Sequence, residues 1–204
     1  MNAPRRNGDL SIAVIVPVLN EAARIGGMLD DLAAQGFREV IVVDGSSDDA
    51  TAEIVRSKDV TLIGAARGRG PQQNAGARVA HADVLLFLHA DTRLPERAKD
   101  HILALLDDHD IVGGCFRLSF DEHHPLLTLY AAASVLDSVF TTFGDQAFFV
   151  RTSAFLHAGG FPDWPLLEDV ELRRRLMRSQ MKEAISSNVF FLMAWSGTVA
   201  PSAG

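Results

Sequence analysis

Cysteine is almost missing from this chain: Cys115 is the single one among 204 residues. An intramolecular disulfide is therefore excluded, and a reducing compartment such as the cytoplasm is expected, with Cys115 an inert core thiol. Positive charge is also in deficit. Lys and Arg number 19 against 26 Asp and Glu, a formal charge of -7, which is the wrong sign for displacing counterions from a nucleic-acid backbone. Nucleic acid is therefore not expected as a partner. No apolar run reaches the roughly 20 residues that a transmembrane helix requires. The nearest candidate, Asn188 to Ala200, is too short to span and is expected at most to make peripheral contact with a membrane or a partner. Near the N-terminus, an apolar run follows two arginines but is short and interrupted by Pro17, so it reads as a first strand and not as a secretory signal. Internal repeats and low-complexity tracts are absent as well.

What remains is an ordinary globular composition, 48% hydrophobic and 22% charged, at a length that suits a single domain. Strand and helix patterns alternate along the first half. Residues 12 to 18 are β-branched and apolar; Asn20 then stands where a helix N-cap belongs, and Ile25, Met28, Leu29 and Leu32 recur at helical spacing before Gly36. "EVIVVD" (39–44) predicts a second strand, "DDATAEIVRS" a second helix and "VTLIG" a third strand. Pro71 suits the first turn of a third helix. "VLLFLHAD" (84–91) predicts a buried fourth strand, and Ala98, Ile102, Leu105 and Leu106 mark the helix after it. This βαβαβαβα order predicts an α/β domain with a mostly parallel central sheet flanked by helices. The second half is less regular: strands in "IVGGCFRLSF" and "DQAFFVR", an apolar helix in "PLLTLYAAASVLDSVF" and an amphipathic helix in "EDVELRRRLMRS".

In an open parallel sheet, ligands collect beyond the carboxyl ends of the strands. Four clusters fall there. "PVLNE" (17–21) follows the first strand. "DGSSDDAT" follows the second; Gly45 permits a tight turn and Ser46 or Ser47 can cap the next helix, which explains those residues without invoking a ligand. That account leaves Asp44 unexplained, and a carboxylate at a strand end can bind a ribose or a base. "ARGRGPQQNAG" tempts a phosphate-loop reading, but it lacks the Lys-Ser/Thr ending, and Gln73 stands where a dinucleotide fingerprint needs its third glycine. A basic loop with Arg67 and Arg69 feeding a helix N-terminus remains, a fair place for a pyrophosphate or simply a solvated loop. The last cluster is His89 and Asp91. Alternate residues of a strand share a face, so the two can hold a divalent ion; equally, His89 can be satisfied by backbone and Asp91 can cap the helix that starts near Pro95.

Taken in order, "VIVPVLNE", "VVDGSSDDAT", "NAGARVAHADVLLFLHADT", "GDQAFFVR" and "GGFPDWPLLEDVEL" resemble the family 2 glycosyltransferases of GT-A fold, and in particular the subgroup associated with radical-SAM and selenium domains. The resemblance covers roughly residues 11 to 178. It implies an inverting transferase of hexosyltransferase type that moves a sugar from a nucleotide-diphosphate-sugar, a UDP-sugar first, to a hydroxyl acceptor. Carried onto matching positions, it implies a nucleotide site of Pro17, Asn20, Glu21, Asp44, Ser46, Arg69, Asn74 and Ala90. A divalent cation, Mn²⁺ or Mg²⁺, would be held by Asp91 and His89, where His89 replaces the first Asp of the family's Asp-x-Asp motif. Asp169 would be the catalytic base beside Glu168, and Gly144, Asp145 and Gln146 would lie on the acceptor side. Without the resemblance, Glu168 and Asp169 read as acidic residues favoured by a helix dipole.

The expected organisation is a tail (1–10), a GT-A-like domain (11–178) with a nucleotide-binding half (11–107) and an acceptor half (108–178), and a divergent C-terminal segment (179–204). After Arg178 the resemblance ends, so truncation, a frame shift and divergence stay open, and the family's acceptor-side lid and diphosphate-binding basic residues have no position here. Two rival functions are weighed against transfer. A non-catalytic nucleotide-binding or partner-binding remnant fits the odd C-terminus, while a sugar nucleotidyltransferase would need a Gly-rich basic loop where this chain has "NEAARIGG".

Overall fold

The computed structural model describes residues 10–118, 147–162, 171–172, 174–176 and 193–201, with backbone only at 117–118 and 193–201. The apolar helix expected over 125–140 and the residues Gly144, Asp145, Gln146, Glu168 and Asp169 lie outside the described residues. Among the described residues, eight strands form one sheet in the order β3-β2-β1-β4-β7-β6-β8-β5. They are β1 (Ile12–Val18), β2 (Glu39–Asp44), β3 (Thr61–Gly64), β4 (Val84–Phe87), β5 (Thr92–Arg93), β6 (Gly113–Leu118), β7 (Phe148–Arg151) and β8 (Met193–Pro201). The helices are α1 (Ala22–Ala34), α2 (Thr51–Arg56), α3 (Arg69–Val79), α4 (Ala98–Leu105) and α5 (Thr152–His157). Pairings β1–β2, β2–β3, β1–β4 and β6–β8 are parallel, while β4–β7, β6–β7 and β5–β8 are antiparallel. The fold is the mixed α/β domain that strand and helix alternation predicts.

Every residue of β1 is buried, because helices cover the sheet on both faces and a strand in that position reads as a continuous apolar run. Its two-residue period divides the core. Ile12, Val14, Val16 and Val18 pack with Ile25, Leu29 and Leu32 of α1 and with Ala98 and Ile102 of α4. Ala13 and Ile15 face the other way, toward Ala75 and Ala77 of α3, Phe155 of α5, Phe161 and Leu172. Helix α3 reaches the sheet closely because Gly76 has no side chain: a Cβ there would stand 2.5 Å from Ile15 Cγ2 and 3.1 Å from Val43 Cγ2. On the same face Phe87 stacks edge-on against Phe161, with ring centres 4.9 Å apart.

Several local expectations are corrected. Asn20 does not cap α1; it sits at φ 59°, Glu21 holds the cap position, and the helix's first N–H groups are satisfied from the next crossover. Glu21 N donates to Thr51 Oγ1 at 2.8 Å and Ala22 N to Asp49 Oδ2 at 3.1 Å. Nor do Ser46 and Ser47 cap α2, whose cap residue is Ala50. The expectation for Pro71 holds, since α3 starts at Arg69 and Pro71 lies in its first turn. Strand β4 ends at Phe87, so His89 and Asp91 lie beyond it in a turn closed by Thr92 N donating to His89 O at 3.0 Å. Most of the run Asn188 to Ala200 falls in β8, which lies between β6 and β5. No helix among the described residues is long and apolar enough to cross a membrane.

Candidate functional site

The strand order sets the location. From β1 the chain winds outward to β2 and β3, then returns to place β4 on the opposite side of β1, so the crevice between the carboxyl ends of β1 and β4 is the topological switch point. A cavity of about 270 Å³ opens there. Its walls come from three segments: Pro17, Val18, Leu19 and Glu21 after β1; Arg67, Gly68, Arg69 and Gln72 at the start of α3; His89, Ala90 and Asp91 after β4. The expected residues Pro17, Glu21, Arg69, Ala90, His89 and Asp91 thus meet in one cavity. Asn20, Asp44, Ser46 and Asn74 are not among its lining residues.

Two cations, two carboxylates and one imidazole share these walls. Arg67 and Arg69 flank Gly68, which takes φ 134°, a conformation that favours glycine and lets the loop turn into α3. The imidazole of His89 and the carboxylate of Asp91 are donor types that would suit Mn²⁺ or Mg²⁺ if oxygens of a substrate joined them. Among the described residues no group of three or more His, Cys, Asp or Glu is gathered as a metal cluster, so substrate oxygens would have to complete the coordination.

At the neighbouring end of β2, Asp44 closes its own turn. Its carboxylate accepts the Ser47 N–H at 3.1 and 3.2 Å and also the Ser47 hydroxyl. Asn20 joins this turn to the first loop: its N–H donates to Ser47 Oγ and its Oδ1 accepts from Asp48 N, both at 2.9 Å. Ser46 takes the left-handed conformation, φ 72°. Nearby, hydrogen bonds from the Thr51 hydroxyl and from backbone N–H groups hold the Asp49 carboxyl below the usual range, against a smaller opposing effect of burial. Ser47 thus serves the turn and not a helix cap, and Asp44 and Ser47 are one unit.

Asn74 stands apart from the cavity. Its Nδ2 donates to Phe161 O at 2.8 Å and its Oδ1 accepts from Phe161 N at 3.0 Å, a reciprocal pair that ties α3 to the segment after α5. Gln72 is not among the residues expected from the sequence. It is 4% exposed and contacts three segments of the site. A buried amide in a helix's first turns was its only signal. A second cavity, of about 180 Å³, lies between α1 and the β4–β5 connection and shares Ala90 as a wall.

Residues 13–159 match the family model described as glycosyl transferase family 2. The chain belongs to that family. Among curated relatives, a 4,4'-diaponeurosporenoate glycosyltransferase of Staphylococcus haemolyticus is 29% identical over 156 residues, covering 71% of this chain and 41% of the relative. One of the same description from Staphylococcus aureus is 27% identical over 144 residues, covering 68% and 38%. The chain therefore spans about two fifths of the length of these family members. Solved structures agree on the GT-A fold. A mannosyltransferase of Pyrobaculum calidifontis in complex with GDP-Man and Mn²⁺ superposes with TM-score 0.69 at 21% identity, covering 96% of this chain and 57% of that one. Glucosyl-3-phosphoglycerate synthase of Mycobacterium tuberculosis, with Mn²⁺, UDP and glucosyl-3-phosphoglycerate, gives TM-score 0.66 at 15% identity over 98% and 74%.

Proposed function

We propose that this chain moves a hexosyl group from a nucleotide-diphosphate-sugar, a UDP-sugar first, to a hydroxyl acceptor with inversion at the anomeric carbon, and that it falls in the radical-SAM-associated subgroup of the family. The observation that carries the reading is the switch-point cavity, where Arg67, Arg69, His89 and Asp91 converge from two separate segments. Neighbours of the same fold hold GDP-Man or UDP together with Mn²⁺, which supports a diphosphate at this place.

Each residue then has a task. Arg67 and Arg69 bind the diphosphate by charge, while Asp44 and Ser46, at the end of β2, meet the base or ribose. His89 and Asp91 would hold the divalent ion, which when bound offsets the charge developing on the leaving diphosphate. On the acceptor side Asp169 takes the hydroxyl proton, because an alcohol is a poor nucleophile until a base removes it. The acceptor oxygen bonds to the anomeric carbon from the face opposite the diphosphate, and the bond to the phosphate oxygen breaks with its electron pair on the leaving group. The pattern "PLLEDVEL" supports Asp169 over Glu168. The sequence pattern there reads as the start of an amphipathic helix, in which adjacent residues point about 100° apart, so one of the two would face the reaction and the other support the acceptor.

Calorimetry with UDP and GDP in Mn²⁺ and in EDTA tests the donor side: affinity should need the metal, and Asp91→Ala should abolish that dependence. Equal affinity in EDTA refutes the metal assignment. For the chemistry, Asp169→Asn should keep donor binding and lower transfer by about 10²-fold or more. Undiminished transfer removes Asp169 from its role; nucleotide binding with no transfer by the wild type makes the chain a binding remnant.

A further inference from the structure

Gln72 reaches three segments with a single amide. Its Nε2 donates to Val18 O at 2.9 Å, at the end of β1, and to Val43 O at 2.7 Å, near the end of β2. Its Oε1 accepts from Gly68 N at 3.3 Å, in the basic loop. Two carbonyls demand donors and one N–H demands an acceptor, so the amide has one allowed orientation. The ladder itself does not require this side chain, since Val18 O already accepts the Gly45 N–H at 2.9 Å. What Gln72 adds is a connection between the strand ends and the loop.

Gly45 makes room for it. A Cβ at Gly45 would lie 3.1 Å from both Nε2 and Oε1 of Gln72 and 3.2 Å from its Cδ. The positive φ of this turn belongs to Ser46 and not to Gly45, so the glycine is needed here for space. Gly45 follows Asp44, and Gly68 lies between Arg67 and Arg69. The Gln72 amide therefore spans from the turn assigned to the nucleoside to the loop assigned to the diphosphate.

We infer that Gln72 is a positioning residue that couples the nucleoside end of the cavity to its diphosphate end, with Gly45 as the space it requires. The inference rests on the nucleotide reading of the cavity. Methionine at position 72 keeps length and burial but makes none of the three hydrogen bonds. The ends of the site then lose their fixed separation, and a ligand that spans both is affected more than one that occupies a single end.

The test compares UDP with uridine by calorimetry on the full chain at fixed Mn²⁺, for wild type, Gln72→Met, Gly45→Ala and the double variant. Gln72→Met should reduce the preference for UDP over uridine by about tenfold, a size typical of coupling within one hydrogen-bonded network. Gly45→Ala should shift it the same way by less, and the double variant should be no worse than Gln72→Met. Loss of hydrogen-exchange protection at the Gly68 amide should accompany the change. A role in stability alone would lower Tm and leave the preference intact, which overturns the inference; additive single effects overturn it too. If Gln72→Met does not fold, Gly45→Ala decides by the same criterion. Wild-type protein that binds neither UDP nor GDP overturns the nucleotide reading and this coupling with it, whereas wild-type binding with an unchanged preference overturns only the role of Gln72.

Discussion

Residues 12 to 87 and residues 147 to 201 build the same sheet by different means. In the first region β1, β2, β3 and β4 are all parallel, each reached from the last through one helical crossover; β2 and β3 add beside their predecessors, and β4 returns to the other side of β1. In the second, β7 joins β4 and β6 in antiparallel pairing, and β8 inserts between β6 and β5, matching Met193 to Gly113 and Pro201 to Thr92. Such distant pairings incur a larger loop-closure entropy before any contact offsets it. The second region is fastened to the rest of the domain by specific polar contacts. Arg151 donates to Leu106 O at 2.8 Å and Ile111 O at 2.9 Å, and burial lowers the pKa of its guanidinium against the opposing charge of Asp108. Thr152 Oγ1 donates to Ala82 O at 2.7 Å, and Asn74 holds Phe161. The first region is held by continuous packing with hydrogen bonds among its own loops, the second by packing plus hydrogen bonds to segments distant in sequence.

The contrast can be broken from the packed side first. Gly76→Val pushes a side chain into Ile15 and Val43, where even a Cβ comes within 2.5 Å, and overpacking of this kind should cost about 3 kcal/mol. Urea denaturation checks it, and an unchanged midpoint would show that α3 does not rest on the sheet through Gly76. Cutting a fastening should cost somewhat less. Asn74→Ala strands the N–H and carbonyl of Phe161, a loss of about 2 kcal/mol; hydrogen exchange should rise at Phe161 before it rises in β1, and a uniform rise would erase the distinction between the regions.

A pH titration sharpens the comparison within the second region. The Glu171 carboxylate accepts from Arg174 Nε at 2.6 Å and from Arg175 Nε at 2.9 Å. Chiefly through the Arg174 hydrogen bond, with burial opposing and Arg175 assisting, its pKa falls from 4.5 to about 2. The unfolded chain thus takes up this proton at higher pH than the folded one. The stabilisation is whole above about pH 4.5 and disappears as the pH falls toward 2. Glu171→Gln should flatten that acid limb of a Tm-against-pH curve, and identical limbs would dismiss the pair. The partly exposed arginines keep the effect modest.

The smallest expected change is a gain. Gly27 sits inside α1 with nothing within 4 Å of where its Cβ would be. Gly27→Ala should therefore stabilise the chain by about 1 kcal/mol through helix propensity. A lower midpoint in denaturant would mean that the space beside α1 is occupied.

Periodicity and turn chemistry in the chain were enough to place β1 to β4 and α1 to α4, and the rule that ligands gather at strand ends pointed to Glu21, Arg69, His89 and Asp91 before any coordinates. These features are legible because apolar spacing and backbone preference act within a few residues. Where hydrogen-bond partners come from another crossover, local pattern was silent or misleading. Asn20 looks like a cap, yet Asp49 and Thr51 satisfy the start of α1. The shared cavity of His89 and Asp91 follows from a turn beyond β4, not from strand alternation. Gln72 gains its meaning, and β8 its place, only when the sheet order brings Val18, Val43 and Gly68 together and sets Met193 beside Gly113. A backbone N–H or carbonyl accepts any suitable partner within about 3 Å, and which partner arrives is a property of the assembled sheet.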